Sequence, residues 1–182
     1  MARSQLRASI MSAPVQHIAI GVVVERRPAT SPWAQFVWRP VAVLAGVPHT
    51  AAWTPLGEDG DAATFYAGPA EIALYRSEAD NYRRNLGSGA PGIWVMLQAT
   101  HGEPPYVIGG VTADPAEGEG WTESGQFIVE PVPIPEALRQ KIAAFAAQFP
   151  AQPAFVKRQR DRANPEALAR RVPLTGRRNE RR

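Results

Sequence analysis

Gly87-Ser-Gly89-Ala-Pro-Gly92 carries three glycines at the spacing that cradles a dinucleotide pyrophosphate. That chemistry needs the glycines between a strand and the N-terminus of a helix, where backbone amides converge on phosphate. Here they follow a helical pattern and precede an apolar strand-like run, so the expected reading is a helix stop and a turn. His17, His49 and His101 are dispersed, and the nearest carboxylate to any of them is Glu103, two residues after His101. A zinc hydrolase or a facial triad needs two histidines and an acid converging on one point, so each histidine is expected to be structural or solvated and no metal site is assigned. Glu117 and Glu119 would need burial to separate their pKa values for acid–base work, and a solvated acidic loop is the simpler expectation. Leu44-Ala-Gly46 matches the opening of a molybdopterin-guanine nucleotidyltransferase signature, but Val47-Pro-His-Thr50 follows where the signature continues, which marks a chance tripeptide. No catalytic residue is assigned.

Binding residues are easier to nominate. Trp33 lies in a proline-rich loop and Trp53 near a turn, where large amphipathic rings can meet a partner; Trp38 and Trp94 fall in predicted strands and Trp121 is the fifth. Arg26, Arg27, Arg39, Arg76, Arg83 and Arg84 follow or flank apolar segments and would form an anion site only if they converged. From Phe155 to Arg182 there are ten Lys/Arg and three Asp/Glu, a net of +7 against +3 for the whole chain, which leaves the first 154 residues at −4. The basic pairs Lys157-Arg158, Arg170-Arg171, Arg177-Arg178 and Arg181-Arg182 would attract a polyanion in a salt-dependent, sequence-independent way, and an acidic protein surface would serve as well. The body carries no recognised nucleic-acid module. Within the tail, Asn164-Pro-Glu166 opens a helical pattern of about two turns that would need a partner to fold.

The remaining composition narrows the class. The 182 residues include no cysteine, which excludes disulfides, thiolate metal sites and cysteine nucleophiles and fits a reducing compartment. No apolar run approaches the roughly 20 residues of a membrane span. The N-terminus, with Arg3 and Arg7 and no acid before Glu25, faintly suggests a leader but lacks a hydrophobic segment, and Met11 would serve as an alternative start. The expected location is cytoplasmic.

Periodicity supplies the elements that must position these side chains. His17–Arg26 reads as a central strand with both faces apolar, and Trp38–Ala45 as an edge or bulged strand because of Pro40. Trp53–Leu56 reads as a short strand before a polar turn over 57–61, and Thr64–Ala67 with Glu71–Arg76 as a hairpin around Gly68-Pro69. Ser77 is the expected N-cap of a short helix that carries Ala79, Tyr82 and Leu86 inward and stops at Gly87. Ile93–Ala99 should be a buried strand beside the first, followed by strands at Tyr106–Val111 and Gln126–Val129. Between those two, Asp114-Pro115 should open one helical turn that Gly118 and Gly120 interrupt. After an extended run through Pro131 and Pro133, Pro135 opens the clearest helix, with Leu138, Ile142, Phe145 and Phe149 on one stripe. The expected architecture is α+β: a predominantly antiparallel or mixed sheet of about 5–7 strands with two main helices packed on it. It comprises a flexible N-terminus at 1–14, the domain at 15–152 and a basic, mostly disordered tail at 153–182.

Five segments together carry a resemblance: Ile20-Gly-Val-Val-Val-Glu-Arg-Arg-Pro28, Ser31-Pro-Trp33, Val37-Trp-Arg-Pro-Val-Ala-Val-Leu44, Tyr82-Arg-Arg-Asn-Leu86 and Phe155-Val-Lys-Arg-Gln-Arg160. Over about residues 15–160 the chain resembles an uncharacterised proteobacterial family known only as a domain of unknown function, the double-tryptophan segment being its most specific part. Members are often encoded beside formate dehydrogenase and molybdenum-cofactor genes. The resemblance implies an accessory protein more than an enzyme, and supplies no catalytic residues to carry over. The leading expectation is therefore a non-catalytic accessory or chaperone-like protein for a molybdenum-dependent formate dehydrogenase or its cofactor maturation. It would need no cofactor of its own and would contact a protein partner through Arg26, Arg27, Trp33, Trp38, Lys157, Arg158 and Arg160. Two alternatives stay open: an enzyme or carrier acting on an anionic pterin or nucleotide, as in molybdopterin-guanine dinucleotide biosynthesis, and a nucleic-acid binder through the tail.

Overall fold

The computed structural model describes residues 16–151. Within them seven strands form two antiparallel sheets. Strands β1 (Gln16–Pro28), β2 (Phe36–Leu44), β3 (Thr54–Asp59) and β4 (Ala62–Leu74) make the first, in the order β2-β1-β4-β3. Strands β5 (Gly92–Ala99), β6 (Tyr106–Thr112) and β7 (Ile128–Pro133) make the second, in the order β6-β5-β7. A 3-10 turn, Arg76–Glu78, leads into helix α1 (Ala79–Leu86), and helices α2 (Pro115–Thr122) and α3 (Glu136–Ala147) follow β6 and β7. The α+β class and the antiparallel pairing are as expected, but the strands divide between two sheets and a third helix joins the expected two. None of these helices is long and apolar enough to cross a membrane.

The two sheets share one core because β2 lies against β7 and β4 against β6. Alternation along β1 sends Ile18, Ile20, Val22 and Val24 into that core, where Ile93, Val95 and Leu97 of β5 meet them. Leu138, Ile142 and Phe145 of α3 add the predicted stripe, and Tyr82 of α1 packs edge-on to Phe145 at 6.1 Å. β1 is central as its two apolar faces require, while β5 sits in the other sheet instead of beside it. An apolar run reports burial on both faces, not the identity of its neighbours.

Three local departures have physical causes. Glu71–Leu74 and Thr64–Ala67 belong to one strand, not a hairpin: Gly68 adopts φ 136° and the register slips beside it, which bends β4 without reversing it. Pro69 is tolerated there because β3 pairs no further along β4 than Tyr66. The true hairpin turns at Gly60, φ 60°, between Asp59 and Ala62. Ser77 falls inside the 3-10 turn and α1 begins at Ala79 without a side-chain cap, whereas the stop at Gly87 is present, its N–H donating to the Arg83 carbonyl. Pro131 and Pro133 lie within β7, an edge strand that can spare their missing donors. Pro40 likewise sits on edge strand β2, where the register against β1 slips.

Candidate functional site

The end of the first sheet where β1 leaves and β2 returns gathers most of the predicted binding residues. Arg26 continues the inward parity of Val24, and its cross-strand neighbours are Trp38 on β2 and Ala63 on β4. Its guanidinium carbon stands 4.5 Å from the ring centre of Phe36, 5.3 Å from Phe65 and 5.8 Å from Trp38. Trp38 is in turn braced by Phe65 at 5.7 Å, by Tyr106 at 6.2 Å and edge-on by Trp53 at 5.8 Å. Trp53 reaches that position with a left-handed backbone, φ 64°, which a bulky residue adopts at a cost of about 1–2 kcal/mol. The result is an aromatic box around one arginine at the open end of the core.

On the opposite face of β1, Glu25 is held by two other arginines. Arg27 donates through Nε at 2.7 Å and Nη2 at 3.0 Å, and Arg39 through Nε at 2.8 Å. The Arg27 hydrogen bond above all holds the Glu25 carboxyl below its usual range, opposed by burial and helped by Arg39. Beyond them the loop closes with Ala29 N–H donating to the Gln35 carbonyl, and it carries Trp33 at 92% exposure. Val37, in register with Arg27, is also exposed.

A second concavity of about 390 Å³ lies between α1, β5 and the start of α2. Trp94 forms one wall, and Asn81, Arg84, Ser88, Asp114 and Glu119 supply polar groups. Asp114 caps α2 by accepting from Ala116 N–H at 2.9 Å, and Asn81 donates to it at 2.8 Å. Asn85, almost fully buried at the cleft wall, ties Gly92 and Ala113 together. The glycine-rich segment thus reaches this cleft through Ser88 and Ala90, while Gly87 caps α1 and Gly92 starts β5.

Of the nominated arginines, Arg26, Arg27 and Arg39 share one end of a sheet but divide between its two faces. Arg76 stacks over Phe149 at 5.9 Å; Arg83 pairs with Asp80 and donates to the carbonyls of Ala146 and Phe149, closing the end of α3. Arg84 donates to Asn81 at the cleft. Arg27 and Arg39 thus converge on Glu25, Arg76 and Arg83 meet at Phe149, and the six do not form one anion site. His17 pairs with Glu71 across β1 and β4, and His49 and His101 are exposed in loops. Glu117 and Glu119 lie on α2, exposed as expected, though on a helix and not in a loop. Lys157, Arg158 and Arg160 lie outside the described residues. Sequence reasoning missed Phe36, Phe65 and Tyr106; their signal was β-strand parity, usable only once the strand partners are known.

No curated protein matches the chain, and no solved structure does. The family model described as "Protein of unknown function (DUF3305)" matches residues 19–160, a span that includes both sheets but for the first three residues of β1, all three helices and the aromatic box. On that match, the chain belongs to the DUF3305 family of proteins of unknown function.

Proposed function

We propose that the protein is a non-catalytic accessory module that binds a protein partner, serving a molybdenum-dependent formate dehydrogenase or the maturation of its cofactor. The observation that carries the binding reading is Trp33, 92% exposed at the tip of the β1–β2 loop, where it contributes nothing to the core. An exposed tryptophan on a hairpin closed by its own backbone is the type of anchor that dominates protein interfaces. Val37, exposed in register with Arg27, and the Arg27–Glu25–Arg39 cluster supply the further apolar residue and polar rim such an interface uses. The link to a molybdoenzyme comes from the family resemblance.

The experiment deletes the gene in its source organism and measures formate dehydrogenase activity, then restores the wild type or Trp33→Ala. Loss on deletion, recovery with wild type and failure of Trp33→Ala at equal protein level support the reading. Unchanged activity on deletion overturns it. The Trp94 cleft favours a second reading, a carrier of a planar pterin or nucleotide, because its volume suits a small ligand and an indole forms one wall. Asp114 and Glu119 oppose the phosphates such a ligand carries, and titration with a pterin and with guanine nucleotides discriminates the two readings.

A further inference from the structure

We propose that Arg26 is the anchor for a single carboxylate of the partner protein, an acidic side chain set in an apolar stretch; this rests on the protein-binding reading above. Three aromatic rings hold the guanidinium at 4.5–5.8 Å, and ring contact stabilises its charge without satisfying any of its five N–H donors. Among the described residues the Arg26 guanidinium has no hydrogen bond and no ion pair, whereas Arg27 and Arg39 share Glu25 and Arg83 has Asp80. Glu25 is adjacent in sequence, yet strand alternation puts it on the other face of β1. The box is costly to build, since Trp53 takes a left-handed backbone to brace Trp38. What results is a partly buried planar fork, preorganised by its rings and matched in shape to a carboxylate that accepts two parallel bonds.

The surroundings select among anions. Glu58, Asp59 and Asp61 crowd the β3–β4 turn at the same end of the sheet, and Asp59 lies close enough to act on the charge of Arg27. A polyphosphate or nucleic-acid backbone would bring many charges against those acids, whereas one carboxylate flanked by apolar residues meets Arg26 and can lay its neighbours on the half-buried rings of Phe36 and Trp38.

The test uses the full-length protein and two N-acetylated, C-amidated pentapeptides with leucine on either side of a central residue that is Glu in one and Gln in the other. Isotope-labelled protein is titrated with each, and the Arg26 Nε–H and the Trp38 and Trp53 indole N–H resonances are followed by NMR. The Glu peptide is expected to bind with a dissociation constant of about a millimolar and to move these resonances, the Gln peptide to bind at least about tenfold more weakly. Arg26→Lys, which keeps the charge and loses the fork, should weaken the Glu peptide by a similar factor. An equal response to both peptides, no saturable response, or inorganic phosphate matching the Glu peptide overturns the proposal. The Glu–Gln comparison is made on the unaltered protein, so it holds even where Arg26→Lys disturbs folding. A null titration would leave the accessory reading standing, and a deletion without phenotype would leave the titration interpretable.

Discussion

A β-carbon built on Gly118 would lie 2.0 Å from Cγ and 2.3 Å from Cδ1 of Trp94, so α2 can rest on β5 only through a residue without a side chain. Gly120, two residues on in the same helix, has open space where its side chain would be. The two glycines therefore respond oppositely to alanine. Gly118→Ala must push the helix off the indole and is expected to lower stability by about 3 kcal/mol, although alanine is the better helix former. Gly120→Ala should raise stability by about 0.5–1 kcal/mol through helix propensity alone. Urea midpoints of the two variants check the pair, and similar midpoints would contradict the packing argument.

The same pair shows what the sequence could and could not disclose. Asp114 and Pro115 announce the start of α2 by side-chain chemistry that acts within three residues, and the cap is present as read. The continuation of the helix through Gly118 answers to Trp94, 24 residues upstream, so locally the two glycines read as interruptions and predict only one turn. β1 was legible because burial on both faces is written in its own residues, but the separation of β5 into a second sheet is a fact about partners. The aromatic box follows this pattern. Arg26 and Trp38 stand out in the sequence by residue type, as a cation and a large ring flanking apolar runs, while the rings of Phe36, Phe65 and Tyr106 reach them only through the register of β1 with β2 and β4 and the meeting of β4 with β6.

Asn85 uses its whole amide on the backbone. Nδ2 donates to the carbonyls of Gly92 and Ala113, both at 2.8 Å, and Oδ1 accepts from Gly92 N–H at 3.1 Å. Asn85→Asp replaces the double donor with a carboxylate facing two carbonyl oxygens in a buried site. It is expected to cost about 3 kcal/mol and to lower Tm by about 10 °C. A Tm within a degree or two of wild type would mean that the Asn85 contacts are not a staple.

Two buried tyrosines separate hydroxyl satisfaction from hydroxyl burial. Among the described residues the Tyr66 hydroxyl has no hydrogen-bond partner, and burial raises its pKa. Tyr66→Phe should therefore be neutral or stabilising by about 1 kcal/mol. The Tyr82 hydroxyl accepts from Tyr75 N–H at 3.1 Å, yet burial pushes its pKa up to about 12. Because the unfolded chain ionises near pH 10, stability should be full below that pH and fall as pH rises from about 10 to 12. Tyr82→Phe should remove most of that alkaline slope while costing stability at neutral pH through the lost bond to Tyr75. An unchanged slope in thermal melts across this range would refute the assignment to Tyr82.

Glu25 governs the acid side in the opposite sense. Its folded pKa is depressed, first by the hydrogen bond from Arg27 and then by Arg39, against the effect of its own burial. The unfolded chain then takes up the proton first as pH falls through the carboxylate range, so the Glu25 contribution is present above about pH 4.3 and is lost below it. Both arginines are about half exposed, which screens the pair and holds the contribution to about 1 kcal/mol or less. Glu25→Gln should accordingly be less stable than wild type at pH 7, with a gap that narrows as pH falls below the ordinary glutamate range and, at neutral pH, as salt rises. Urea unfolding at pH 7 and at a series of lower pH values measures this. A gap that stays unchanged as pH is lowered would show that Glu25 acts through packing on β2 and not through its charge.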